Sequence, residues 1–120
     1  MATQNPADIE NVEKLLKDYQ IMQEQLRNVA MQLEQMQAQK IEMERAKEEL
    51  EKANGKVYRS VGNVIIESSK EKALLDVTDK HSLTSARIQS LNKQFNDMKT
   101  KEKQLNEKLT QIYKGGQGQQ

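Results

Sequence analysis

His81 is the only histidine in this chain of 120 residues, and there is no cysteine. A lone imidazole with no nucleophile motif near it offers no acid–base pair. Missing thiols exclude disulfides, thiolate catalysis and Cys-based zinc sites. Glu42-Met43-Glu44 and Glu48-Glu49 gather carboxylates, but such runs read as the solvated face of a helix. No GxxxxGK loop is present to hold a nucleotide. Lys99, Lys101, Lys103 and Lys108 form a basic stretch. Pairing with acidic residues of the chain accounts for it most simply. A net charge of +1 supplies no global pull toward nucleic acid. What remains is apolar chemistry. Ile9, Val12, Leu16 and Tyr19 lie toward one terminus, and Leu105, Leu109, Ile112 and Tyr113 toward the other. The expectation is a binding protein, not an enzyme, with no metal or cofactor.

The elements that place these residues follow from composition and punctuation. Hydrophobic residues make up 35% and charged residues 31% of the chain, with one proline and four aromatics. That is too polar for a compact core, yet too poor in proline and net charge for disorder. A narrow apolar stripe on long helices is the solution. Helix formers fill residues 8–53, with Asn5-Pro6 as the start and Asn54-Gly55 as the stop. Residues 54–68 change character. Val57, Tyr58 and Val61, then Val64, Ile65 and Ile66, flank Gly62-Asn63 as in a short β-hairpin. Ser68 and Glu71 form a capping box that opens a second helix over residues 69–114. Residues 1–7 read as a tail, and residues 115–120 as a disordered one.

Both helices carry heptads. The first seam is Val12, Leu15, Tyr19, Met22, Leu26, Val29, Leu33, Met36, Lys40, Met43, Lys47 and Leu50. The second is Leu74, Val77, His81, Thr84, Ile88, Leu91, Phe95, Met98, Glu102, Leu105, Leu109 and Ile112. The steps alternate three and four, the pattern of a coiled coil. Antiparallel pairing sets Val12 against Ile112, Leu26 against Met98 and Leu50 against Leu74, all centred on Gly62. The centre coincides with the turn signal, so an intramolecular coil is predicted. Charge agrees: residues 8–53 hold 11 acidic and 7 basic side chains, and residues 70–114 hold 6 and 10. Lys40 against Thr84, Lys47 against Val77 and Met22 against Glu102 are weak layers. Met43, Ala46, Leu50 and Ala53 offer a shifted seam beside the first two. A two-stranded hairpin is marginal alone and its edges need covering. It should therefore pair with hairpins of other chains.

Val57-Tyr58-Arg59-Ser60-Val61-Gly62-Asn63-Val64-Ile65-Ile66 resembles the Val-Tyr-Lys-x-x-Gly-x-hydrophobic hairpin of the prefoldin family's β-type subunit. The order of long helix, one hairpin and long helix resembles it too, over residues 8–114. The α-type subunit has two hairpins, and residues 54–68 hold only one. The resemblance implies a mainly α fold: an antiparallel two-helix coiled coil whose hairpin joins an intersubunit β-barrel hub. It implies a hexamer of two α-type and four β-type subunits. The family has archaeal and eukaryotic members, and the plain sequence and the glycine–glutamine tail lean toward an archaeal one. Its members capture non-native polypeptides without nucleotide and deliver them to a group II chaperonin.

On that reading Val57, Tyr58, Val61, Gly62, Val64, Ile65 and Ile66 make the oligomerisation segment. Ile9, Val12, Leu16, Tyr19, Leu105, Leu109, Ile112 and Tyr113 grip clients, and several weak tips acting together add avidity. Flexible methionines such as Met22 and Met31 suit varied clients, though ordinary packing in the seam explains Met22 better. Helix ends fray, so seam residues there can open, while Ile9, Leu16 and Tyr113 lie off the strict seam. The other reading is a coiled-coil adaptor without client-holding activity. No apolar run crosses a membrane. The start MATQNPADIE lacks a signal peptide's pattern, so a cytoplasmic location is expected.

Overall fold

The structure, a computed structural model, describes residues 6–117. Its elements are α1 (Pro6–Lys52), β1 (Val57–Val61), β2 (Val64–Ser68) and α2 (Lys70–Gln117). This is the mainly α, one-hairpin architecture that the sequence predicts. Proline fits the first helical position because its missing N–H would have no partner there. The proposed cap, Asn5, lies outside the described residues. In the last turn of α1 the Ala53 N–H donates to the Leu50 carbonyl at 3.2 Å. The Lys70 ammonium, from the first turn of α2, reaches the carbonyls of Glu51 at 2.7 Å and Ala53 at 3.3 Å. A cation is thereby set on the negative end of the α1 dipole, where carbonyls lack helical partners.

Three local expectations change. The cap of α2 is Ser69 and not Ser68: its hydroxyl accepts the Lys72 N–H at 3.1 Å. Ser68 is held in the strand by its pairing with Val57. The helix also continues through Gly115 and Gly116 to Gln117, past its predicted end. Glycine keeps its N–H donor and costs only about 1 kcal/mol against alanine in a helix, which disfavours the conformation without forbidding it. Residues 118–120 lie outside the described residues. Third, Lys47 is exposed although it falls on the heptad, as are all residues from Glu44 to Glu49. An ammonium in the seam would lose its hydration, so exposure is the cheaper placement. Ala46 is exposed too, so no shifted seam forms through it.

The chain forms two compact units. One joins α1 up to Met31 with α2 from Asn92 onward. Leu26 is buried there, and Val12, Leu15, Tyr19, Met22 and Val29 are half-buried. Across from them Phe95, Met98, Glu102, Leu105, Leu109 and Ile112 are half-buried as well.

The other unit spans Gln32–Leu91 and contains the hairpin. Leu33, Ala73, Thr84 and Ile88 are buried in it. Met36, Lys40, Met43, Leu50, Leu74, Val77, His81 and Leu91 are half-buried. The Thr84 hydroxyl donates to the Met43 sulfur at 3.9 Å, not to anything on Lys40. Met43 belongs to the next layer, and a seam side chain reaches neighbouring layers in this way. His81 lies 3.6 Å from Glu44, the residue beside Met43, its predicted partner. Thioether sulfur is a weak acceptor, so this buried hydroxyl is poorly compensated.

The strands pair antiparallel from Val57↔Ser68 to Val61↔Val64, leaving Gly62-Asn63 as a two-residue turn. Gly62 has φ of 60°, and no non-glycine residue has positive φ among those described. Glycine alone at the first central position is the type II′ signature, whose twist matches that of the strands.

Candidate functional site

Two regions hold exposed apolar side chains at predicted site positions; Ile41, Leu75 and Leu83 are exposed outside them. The first is the unit that holds both chain ends. Ile9 is 45% exposed, Leu16 47% and Tyr113 66%. Each directly follows a d position of its heptad: Asp8, Leu15 and Ile112. In an antiparallel pair, residues one step past d on both helices project to the same flank of the seam. Ile9, Leu16 and Tyr113 therefore share one flank. Val12, Tyr19, Leu105, Leu109 and Ile112 are half-buried in the seam beside it. Of the eight predicted residues, three are thus exposed beside the seam and five are half-buried in it. Tyr19 also accepts a hydrogen bond on its hydroxyl from Gln23 at 3.0 Å, one turn along.

The opposite flank of this unit differs. Asp18, Lys101 and Lys108 each directly precede a seam residue, which puts them on the other side. An open groove of about 350 Å³ runs there. Asp18, Ile21 and Met22 line it from α1, and Lys101, Gln104, Leu105 and Lys108 from α2. The sequence reading missed this groove. Its signal was the heptad position before each seam residue, which separates Lys101 and Lys108 from their basic neighbours. The reading also expected the α2 lysines to pair with the acidic α1. Instead Lys99 pairs within its own helix, 3.9 Å from Glu102, with its ammonium 5.8 Å from the Phe95 ring centre. Among the described residues no lysine or arginine of α2 forms an ion pair with α1. Exposed pairs are worth too little to hold two long side chains in place, so the opposite charges of the helices act only as diffuse attraction.

The second region is the hairpin. Opposed residues of an antiparallel pair share a face. Val57, Arg59, Val61, Val64, Ile66 and Ser68 therefore make one face, and Tyr58, Ser60, Ile65 and Glu67 the other. Tyr58, Val61, Val64 and Ile66 are exposed, and Ile65 is 71% exposed. Lys56 and Glu67 approach to 3.9 Å at the open end, both in solvent. Gly62, exposed at the tip, supplies the turn.

The polar seam near His81 does no visible chemistry. His81 is half-buried, its Nε2 lies 3.6 Å from a Glu44 carboxylate oxygen, and that nitrogen has no hydrogen bond. An open groove of about 350 Å³ adjoins it, with Glu48 and Lys47 on its rim. No group of three metal-ligating side chains occurs among the described residues. No described helix is long and apolar enough to cross a membrane.

Comparison with known proteins agrees with this geometry. The profile of the prefoldin subunit family matches residues 13–116. A prefoldin subunit beta of Methanosarcina acetivorans is 35% identical over 113 residues, covering 92% of this chain and 94% of that one. One from Caldivirga maquilingensis is 32% identical over 65 residues, about 54% of each chain. The crystal structure of the prefoldin beta subunit from Thermococcus strain KS-1 superimposes with a TM-score of 0.78 at 26% identity, covering 85% of this chain and 91% of that one.

Proposed function

Because the chain belongs to the prefoldin subunit family and is of its β type, we propose that it captures non-native polypeptides with its terminal helix ends. The observation that carries this is the exposed rim of Ile9, Leu16 and Tyr113 beside a half-buried seam. Unfolded chains display apolar segments, and burying them on such a rim removes apolar area from water. Each contact is weak, so holding requires several copies acting at once. The bare faces of the hairpin supply the means of assembly. Their residues Val57, Tyr58, Val61, Val64, Ile65 and Ile66 would close, with those of other subunits, into a shared β-hub. The assembly is a hetero-hexamer of two α-type and four β-type subunits in the cytoplasm. It needs no nucleotide and hands its clients to a group II chaperonin.

The test is to remove residues 1–19 and 105–120 from the assembled complex and follow turbidity of a chemically denatured client. Suppression of aggregation should be lost. Full suppression by the truncated complex would show that the tips do not hold clients. An intact complex that never suppresses aggregation would favour a structural adaptor.

A further inference from the structure

The two flanks of the terminal unit offer different chemistry, and the second has no counterpart in the apolar grip described above. Met22 and Leu105 form the floor of its groove, with Ile21 beside them, while Asp18, Lys101 and Lys108 stand around it. Two ammonium groups face one carboxylate, so the lining is net positive. Among the described residues none of these three forms an ion pair. Lys99, two residues from Lys101, contrasts with them because Glu102 and Phe95 occupy it. An apolar floor under uncompensated cations complements a segment that carries apolar and acidic side chains together. A segment with lysine or arginine at the same place meets like charge. Lys101 and Lys108 are separated by roughly 10 Å along the helix at 1.5 Å per residue. About three extended residues cover that distance.

The geometry points to selectivity among clients: this groove takes short unfolded segments in which apolar residues adjoin Asp or Glu, in preference to those in which they adjoin Lys or Arg. The inference rests on the client-holding reading and refines it. The apolar flank grips without regard to charge, and the groove sorts what is gripped. Since the lysines are exposed, the preference is moderate and screened by salt.

Fluorescence anisotropy on the full chain, in the assembly in which it purifies, tests this with two labelled short peptides. They share the same apolar residues and differ in flanking Asp or Lys. At low salt the Asp-flanked peptide should bind about threefold to fivefold more tightly, the range open to a few exposed charge contacts. The K101Q/K108Q variant should bring the two affinities together, and K101R/K108R should restore the difference. K99Q, outside the groove, should leave it unchanged. If the wild-type chain binds both peptides equally, or the preference survives K101Q/K108Q, the groove does not select. If a folded acidic protein binds through the two lysines while the peptides are not discriminated, the groove is a docking site for that surface and the inference is wrong. If neither peptide binds at all, the client-holding reading falls first.

Discussion

Gly62 is the residue whose identity the backbone demands most directly. Its φ of 60° suits glycine, and open space surrounds the position where a Cβ would stand. Replacement therefore meets conformational strain and no clash. Gly62→Ala should lower stability by about 1–2 kcal/mol, the cost of a left-handed backbone with a Cβ, seen as a lower urea midpoint. Gly55→Ala is the control: Gly55 has ordinary φ and the same open surroundings, so its midpoint should hold or rise. Equal losses at both sites would show that the turn places no demand on Gly62. The turn was legible because Gly-Asn sits between two β-forming runs. The exposure of Ile9, Leu16 and Tyr113 was legible too, since an apolar residue one step off the seam has no partner helix to cover it. The free cations of the groove were not. Summed charge predicts attraction between helices, but only side-chain reach decides which lysine finds a carboxylate.

At the scale of elements, periodicity carried most of the information. From Val12 to Leu50 and from Leu74 to Ile112, every seam position but Lys47 is buried or half-buried, because a two-helix interface leaves a side chain few ways to hide. The boundaries were harder to read. Ser68-x-x-Glu71 satisfies the capping-box pattern, but ladder pairing with Val57 holds Ser68 in β2 and passes the cap to Ser69. Local pattern lost to a tertiary constraint that no window of four residues contains. Ser69→Ala should accordingly cost about 1 kcal/mol, the usual worth of a side-chain cap. Ser68→Ala should cost much less, by thermal or urea unfolding of the same assembly. The reverse order would return the cap to Ser68. The glycine pair at the end of α2 misled in a similar way. Glycine is a frequent stop because of its freedom, but freedom does not compel the chain to leave the helix.

For the whole molecule, the hairpin is the feature that the chain alone leaves unfinished. Val61, Val64 and Ile66 share one face and are exposed together. Val64→Asp or Ile66→Asp sets a charge in the middle of that face, and burying it between subunits would be costly without a partner. Native mass spectrometry should show the proposed hexamer giving way to lower-order species, with helical circular dichroism retained. An unaltered assembly would remove this face from the hub. The need for partners was legible from sequence because two strands cannot protect each other's faces.

The division into two units also sets an order in time. The unit that contains the turn, Gln32–Leu91, pairs residues that are comparatively near in sequence. The other brings the beginning of α1 to the end of α2. Closing the larger loop costs more entropy, though the cost grows only slowly with length. Within Gln32–Leu91 the layers that adjoin the turn close the shortest loops, so pairing in this unit is expected to spread outward from Gly62. During synthesis the first half of α1 leaves the ribosome earliest, and its partners, beginning at Asn92, emerge last. The segment made first is thus the segment completed last, and until then Ile9, Val12, Leu16 and Tyr19 belong to an unpaired helix. A protein proposed to shield others' apolar segments spends its own synthesis with such a segment uncovered.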